Sequence, residues 1–296
     1  MAVSNTDTAS LLPHHPWWKY GAIGIGAGFM SAFFGIGGGV VMVPALTFWL
    51  RVPVKIAVGT SLIAILGFTL VGICIEMFHT PEYIIWDHVG LMAAGSLAGV
   101  AIGKRMHVKA SDWLLKLLFA LMLIFGITKL CNLVSFGDEA HPAAYEMVLD
   151  TIPLQSDSVQ AFILRFGLAT VLGLVAGMAA ALLGAGGGVI YVPGLMILFA
   201  VYAKDIHWAR ATSMATVVIT SLYGGYLHSR AGNVVKDAVK PLLVLGIFGA
   251  IGGSFVAAVT SAHSLLVLFA ALLGTFALQM IVSGVRDLLR RSQKTG

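Results

Sequence analysis

The sequence predicts an all-α polytopic membrane protein of two inverted repeats, each a glycine-broken helical hairpin plus three transmembrane helices, about 8–10 membrane segments in all. Three observations predict this. Hydrophobic residues fill 58% of the 296 positions and charged residues only 10%, too few polar groups to cover a single core in water. Apolar stretches of membrane-spanning length recur along the whole chain. An ungapped internal repeat places the same glycine cluster in each half.

The apolar stretches run over 20–50, 54–75, 88–103, 113–134, 161–202, 211–227, 239–259 and 264–285. Most match the roughly 20 residues a helix needs to cross hydrocarbon. All six tryptophans, Trp17, Trp18, Trp49, Trp86, Trp113 and Trp208, sit at or near the ends of these stretches, where an amphipathic ring lies at headgroup level. The first fifteen residues hold no Lys, Arg or apolar run, so a short polar tail is expected there rather than a cleaved secretory signal. Cys74 and Cys131 both fall in apolar stretches and fit neither a disulfide framework nor a zinc site.

Residues 28–46, from Gly28 to Leu46, align without gaps on 177–195, from Gly177 to Leu195. Gly35, Gly37, Gly38, Gly39 and Pro44 recur as Gly184, Gly186, Gly187, Gly188 and Pro193. Beyond the block, Thr60-Ser61 is matched by Thr212-Ser213, and the register of the glycine block sets His79 opposite His228 and Glu76 opposite Gly225. Further on, Gly95 and Gly99 are read against Gly249 and Gly253. The expected units are therefore a first membrane repeat at 1–135, an acidic extracytoplasmic linker at 136–160 and a second membrane repeat at 161–296.

Orientation follows from charge, because Lys and Arg gather in cytoplasmic loops. If each broken segment crosses once, the 18 basic residues divide almost evenly between the faces. If each forms a hairpin, only Lys129, Arg165, Lys204 and Arg210 lie outside and the other fourteen lie inside. Both termini are then cytoplasmic, and each half holds five segments, which inverts one half relative to the other. Length agrees, since residues 20–50 as one straight helix would reach about 46 Å, well beyond a hydrocarbon core of about 30 Å. The net charge of +5 is thus accounted for by membrane topology, and no nucleic-acid partner is expected.

Four glycines in five positions do not continue a helix comfortably. Broken backbone at membrane depth must be covered by protein or line a polar cavity, because its N–H and C=O groups have no lipid partners. After each break comes an apolar run that reads as a half-helix whose free N–H groups and positive dipole end gather at the glycines. In an inverted pair the two N-termini converge near the midplane, an arrangement suited to an anion. The candidate substrate-binding residues are Gly35, Gly37, Gly38, Gly39, Gly184, Gly186, Gly187 and Gly188, joined by the hydroxyls of Thr60, Ser61, Thr212 and Ser213. For those hydroxyls the alternative is back-bonding to a helix carbonyl. For the clusters the alternative is close helix packing through small residues, which is the better reading of Gly95, Gly99, Gly103, Gly249 and Gly253.

Ionisable residues near the spans are functional candidates by default. Glu76 and His79, three apart, and His228 form a candidate proton relay, set against the simpler reading of solvated helix ends. Arg210 is expected to snorkel to the interface. No catalytic residue, metal site or cofactor is expected: His-Glu-x-x-His, Gly-x-Ser-x-Gly and Cys-x-x-Cys-His are absent, and no Lys-Ser or Lys-Thr follows the glycine clusters as a Walker loop would require.

The doubled Gly-x-Gly-Gly-Gly-x-x-x-x-Pro pattern at Gly35 to Pro44 and Gly184 to Pro193, with Thr60-Ser61, Thr212-Ser213 and the two histidines His79 and His228, resembles the TauE/SafE sulfite exporter family over nearly the whole chain. The resemblance implies a secondary transporter for sulfite or a related sulfur-containing anion, such as sulfoacetate, thiosulfate or a sulfonate, in a prokaryotic cytoplasmic (inner) membrane. Its partners would be that small anion and the lipid bilayer, and assembly as a homo-oligomer is compatible with the sequence. The competing functions are a passive anion channel, which would use the same half-helix termini, and a membrane-embedded enzyme or scaffold subunit.

Overall fold

The computed structural model describes residues 16–111, 159–199 and 205–295, together with Tyr202 and parts of 113–124. Among these the chain is helical, with no strand. The linker expected at 136–160 lies outside the described residues except for its last two positions, which already belong to a helix.

Helix α1 (Trp17–Phe34) begins after Pro16 and ends at Gly35, whose left-handed backbone (φ +71°) lets its N–H bond the Ser31 carbonyl. Four residues later α2 (Gly39–Pro44) starts and runs on as a π-helix over Ala45–Trp49. The widening follows Pro44, which has no N–H for the α ladder. Two long helices complete this part, α3 (Val54–His79) and α4 (Trp86–Lys109). The second half repeats the series with α5 (Val159–Leu183), α6 (Gly188–Leu198), α7 (Ile206–Arg230) and α8 (Lys236–Val259), and α9 (Ala262–Thr295) follows α8 as the helical residues described within 113–124 follow α4.

The glycine breaks are chain reversals, as the length argument requires. Gly38 lies against the Ala27 carbonyl and Ser31 of α1, well before that helix ends. In the second half Gly187 lies beside the Ala176 carbonyl and Gly194 beside Leu172, so α6 retraces α5. Four described helices are long and apolar enough to cross a membrane by length and composition, at Val54–His79, Phe166–Leu183, Lys236–Val259 and Ala262–Ser283. Helices α1, α4 and α7 have similar length but carry more glycine, aromatic and ionisable residues, several of which point inward.

Helices pair across the halves. The two most extensive interfaces join α1 to α8 and α5 to α4. Both rest on small residues that let backbones touch, the usual means of association where lipid gives no hydrophobic drive. A Cβ on Gly24 or Gly28 would strike the Leu242 or Gly246 carbonyl, and one on Gly173 or Gly177 the Met92 or Ser96 carbonyl. From the facing side, Gly99 and Gly103 meet the Leu174 and Met178 carbonyls, whereas Gly249 and Gly253 meet those of Ile25 and Phe29. The packing reading of these glycines is therefore right, but the pairing by sequence is one turn out: Gly99 corresponds to Gly249 and Gly103 to Gly253.

Hydrogen bonds at the helix ends tie the two halves together and also join neighbouring helices within each half. Thr60, near the start of α3, accepts from the Val235 N–H just before α8, and Thr212, near the start of α7, accepts from the Ile85 N–H just before α4. Lys55 Nζ at the start of α3 donates to the Val108 carbonyl at the end of α4. His207 at the start of α7 bonds the Thr260 carbonyl at the end of α8.

Candidate functional site

The two breaks meet at the centre of the protein. In each, three glycines hold left-handed backbone, with φ of +71°, +82° and +73° at Gly35, Gly37 and Gly38 and of +75°, +72° and +91° at Gly184, Gly186 and Gly187. Such angles are costly for any residue with a Cβ. The fourth glycine serves contact instead. A Cβ on Gly39 would overlap the Gly184 carbonyl, and one on Gly188 would overlap Ile36. Gly37 and Gly186 both face the same two side chains, Ile65 of α3 and Val217 of α7. Gly38 and Gly187 are the N-caps of α2 and α6. The first N–H groups of each half-helix, which have no intrahelical acceptor, thus begin where the two breaks touch.

Thr60, Ser61, Thr212 and Ser213 are all fully buried and tie one half to the other. Ser61 Oγ lies 2.8 Å from the Gly184 carbonyl and 2.8 Å from Val58 O, while Ser213 Oγ donates to the Gly35 carbonyl at 2.9 Å. Each serine thereby holds the first glycine of the opposite break. Thr60 donates to Ile56 O and Thr212 to Tyr83 O, and both accept from the main chain of the other half. Their hydroxyl protons are engaged with carbonyls: Ser61 and Ser213 hold the breaks, whereas Thr60 and Thr212 tie the starts of α3 and α7 to the chain entering α8 and α4.

Ionisable side chains form two buried clusters, one behind each break. Behind the first, Arg210 Nη2 bonds Glu76 Oε1 at 2.6 Å and Nη1 bonds the Ala32 carbonyl at 2.8 Å. Arg210 also covers Gly35, where a Cβ would lie 2.6 Å from its Cγ. This corrects the snorkelling expectation, because Arg210 is 1% exposed. A carboxylate within reach makes an interior position tolerable for the guanidinium. Thr80 Oγ1 completes the Glu76 carboxylate at 2.9 Å.

Behind the second break, His228 Nε2 lies 2.9 Å from the Ala181 carbonyl and its Nδ1 lies 3.2 Å from Lys104 Nζ. His107 Nδ1 lies 2.8 Å from the Leu182 carbonyl, and its ring meets that of His228 edge-on. His228 and His107 are fully buried and Lys104 nearly so.

The relay residues are therefore not brought together. Glu76 belongs to one cluster and His228 to the other, while His79 is exposed on α3 with its ring against Phe255. The equivalence of His79 with His228 also fails. From Ser61 and Ser213, which make the same cross-half bond, fifteen steps lead to Glu76 and to His228, so these two are counterparts. The register slips in the connection after the break, and the glycine-block alignment does not carry through it.

Lys104 and His107 were missed because the apolar stretch ends at residue 103. The helix continues to Lys109, however, and both residues extend the buried face marked by Gly95, Gly99 and Gly103. That 3–4 residue spacing was the available signal. Among the described residues no group of His, Cys, Asp and Glu is arranged to hold a metal ion.

The model of the family described as "Sulfite exporter TauE/SafE" matches residues 2–130 and 169–295. The chain belongs to the TauE/SafE family. The unmatched stretch, 131–168, contains the linker expected at 136–160, and the match to this TauE/SafE protein covers both glycine breaks. Among relatives, the probable membrane transporter protein YunE of Bacillus subtilis is 26% identical over 225 residues, covering 72% of this chain and 78% of that protein. A probable membrane transporter protein of Xylella fastidiosa is 34% identical over 108 residues, covering 36% of this chain and 41% of its own length. Sulfite exporter TauE/SafE family protein 5 of Arabidopsis thaliana is 28% identical over 106 residues, 36% of this chain and 24% of its own. The chain thus spans less than half the length of several relatives it matches. No solved structure matches it.

Proposed function

We propose that this TauE/SafE protein is a secondary transporter that moves sulfite or a related sulfur-containing anion across the cytoplasmic membrane, with the anion received where the two glycine breaks meet. The carrying observation is the reciprocal contact of the breaks, each opening a half-helix whose first N–H groups have no intrahelical acceptor. Such termini favour negative charge through both free donors and the helix dipole. Sulfoacetate, thiosulfate and sulfonates share the compact, oxygen-rich anionic chemistry of sulfite and belong to the same class. We assign Ser61 and Ser213 to holding the breaks, Thr60 and Thr212 to tying the halves together, and the backbone of Gly35 to Gly39 and Gly184 to Gly188 to the anion.

Inversion of the repeats is supported by the two ends of α4. Its start is tied to the start of α7 and its end to the start of α3, so the counterparts α3 and α7 begin at opposite ends of one helix. With that inversion, rocking one repeat against the other opens the contact between the breaks to alternate sides.

Purified protein in proteoliposomes tests the reading. Labelled sulfite, thiosulfate and sulfoacetate are offered separately, and flux is measured against concentration. A carrier saturates with at least one of them, and Gly38→Val or Gly187→Val abolishes the flux. Flux that never saturates would make the protein an anion channel. Full flux in a normally inserted Gly38→Val variant would remove the breaks from the site.

A further inference from the structure

The cluster behind the second break has a hydrogen-bond pattern that determines where its next proton goes. A carbonyl only accepts, so His228 Nε2 and His107 Nδ1, which face Ala181 O and Leu182 O, each carry a hydrogen. In the neutral rings the other two nitrogens are lone pairs. That of His228, Nδ1, is taken by Lys104 Nζ at 3.2 Å. That of His107, Nε2, is buried and has no hydrogen-bond partner among the described residues.

Among the described residues, the charged and titratable groups facing the His107 ring are Lys104 on its own helix, His228 on α7 and Lys55 on α3, whose main chain also lies against the ring, and α5 contributes main-chain carbonyls. No carboxylate is among them. An unpartnered basic nitrogen held dry beside a lysine is unfavourable for stability alone, which argues for a role in the working cycle.

We propose that His107 Nε2 is the proton-loading atom that couples proton movement to anion movement. The proposal rests on the transporter reading above. A proton from the aqueous face at the start of α3 and the end of α4, where Lys55 Nζ meets the exposed Val108, moves to the Nε2 lone pair and turns His107 into an imidazolium beside Lys104 and His228. An anion in the neighbouring break offsets the added charge. When the anion leaves on the other side, the proton leaves Nε2 with it, and no covalent bond changes. Lys104 is a positioning residue that occupies the one competing lone pair, that of His228. The cluster behind the first break has no equivalent loading atom, because the register that pairs Gly103 with Gly253 sets Ala257 opposite His107, and Glu76, the counterpart of His228, is already paired with Arg210.

The test uses the full-length protein in proteoliposomes and whichever of thiosulfate or sulfoacetate the wild type carries, since neither gains a proton near neutral pH. Wild-type uptake is expected to rise when an inward proton gradient is imposed at clamped voltage, with the lumen acidifying as substrate enters. His107→Gln keeps an N–H for Leu182 O but has no basic nitrogen. It is expected to retain exchange of labelled for unlabelled substrate at equal concentrations, yet to ignore the gradient. A His107→Gln variant driven as strongly as wild type would overturn the proposal. Wild-type transport with no accompanying acidification would do so too, and needs no variant to fold. If the wild type carries no sulfur anion at all, the transporter reading itself is what fails.

Discussion

Arg210 and Glu76 meet across the two halves of the protein, with 2.6 Å between guanidinium and carboxylate and both side chains almost wholly buried. The pair joins α7 to α3, and through Ala32 it also holds the last turn of α1 before the first break. Removing one partner leaves the other charged in a dry interior, which costs about 3–5 kcal/mol. Glu76→Gln and Arg210→Met should each lower the unfolding midpoint in detergent sharply. The double variant should lose clearly less than the sum of the two, because no orphan charge remains. Additive losses would show that the residues act separately.

Ser61 and Ser213 make a second reciprocal link, each bonding the first glycine carbonyl of the opposite break. One such bond contributes about 1 kcal/mol net. Ser61→Ala and Ser213→Ala should therefore destabilise by similar, modest amounts in thermal unfolding. Anion flux should fall further than stability, since a loosened break misplaces its N–H groups. Unchanged flux in both variants would mean that the breaks keep their positions without these bonds.

These links also explain which parts of the architecture could be read in the sequence. The glycine clusters were legible because a left-handed backbone leaves a direct mark on residue choice, and Gly35 to Gly39 and Gly184 to Gly188 carry that mark twice. The helical class and the small-residue packing followed from composition and from spacings of four. The polar clusters were not legible, because a charged residue near the end of an apolar run looks the same whether it faces water or the interior. Arg210 looked like an interface residue until Glu76 stood opposite it. Lys104 and His107 fell beyond an apolar stretch whose helix runs on to Lys109. The pairing of Glu76 with His228 was hidden because the connections after the two breaks differ in length, which defeats an ungapped alignment.

Glycine substitutions separate conformational need from space. Gly39→Ala and Gly188→Ala place a methyl group into the backbone of the opposite break, and should cost about 1–3 kcal/mol or more. Gly26 and Gly90 lie in helices with nothing near a Cβ. Alanine there should be neutral or stabilising by up to about 1 kcal/mol. Thermal unfolding of the four variants, measured side by side, checks the contrast. Equal tolerance at all four positions would contradict close contact between the breaks.

Topology gives the last prediction, and it joins the charge count to the hydrogen bonds at the helix ends. Lys55 at the start of α3 reaches the end of α4, and Thr60 nearby holds the chain entering α8, so one face gathers the α3 start, the α4 end and the α8 start. The other face gathers the starts of α4 and α7 and the end of α8. Positive residues crowd the first of these faces, with Lys55, Arg105, Lys109, Arg230, Lys236 and Lys240 at or near those helix ends, and we propose on that ground that it is the cytoplasmic face. In a Cys74→Ala, Cys131→Ala background, single cysteines at Glu82 and Ser261 should react with a membrane-impermeant maleimide added to intact cells. Cysteines at Ser111 and Asn233 should react only after permeabilisation. Labelling of Glu82 and Asn233 from the same side would break the inverted arrangement, since these positions precede the counterpart helices α4 and α8, which inversion requires to start on opposite faces.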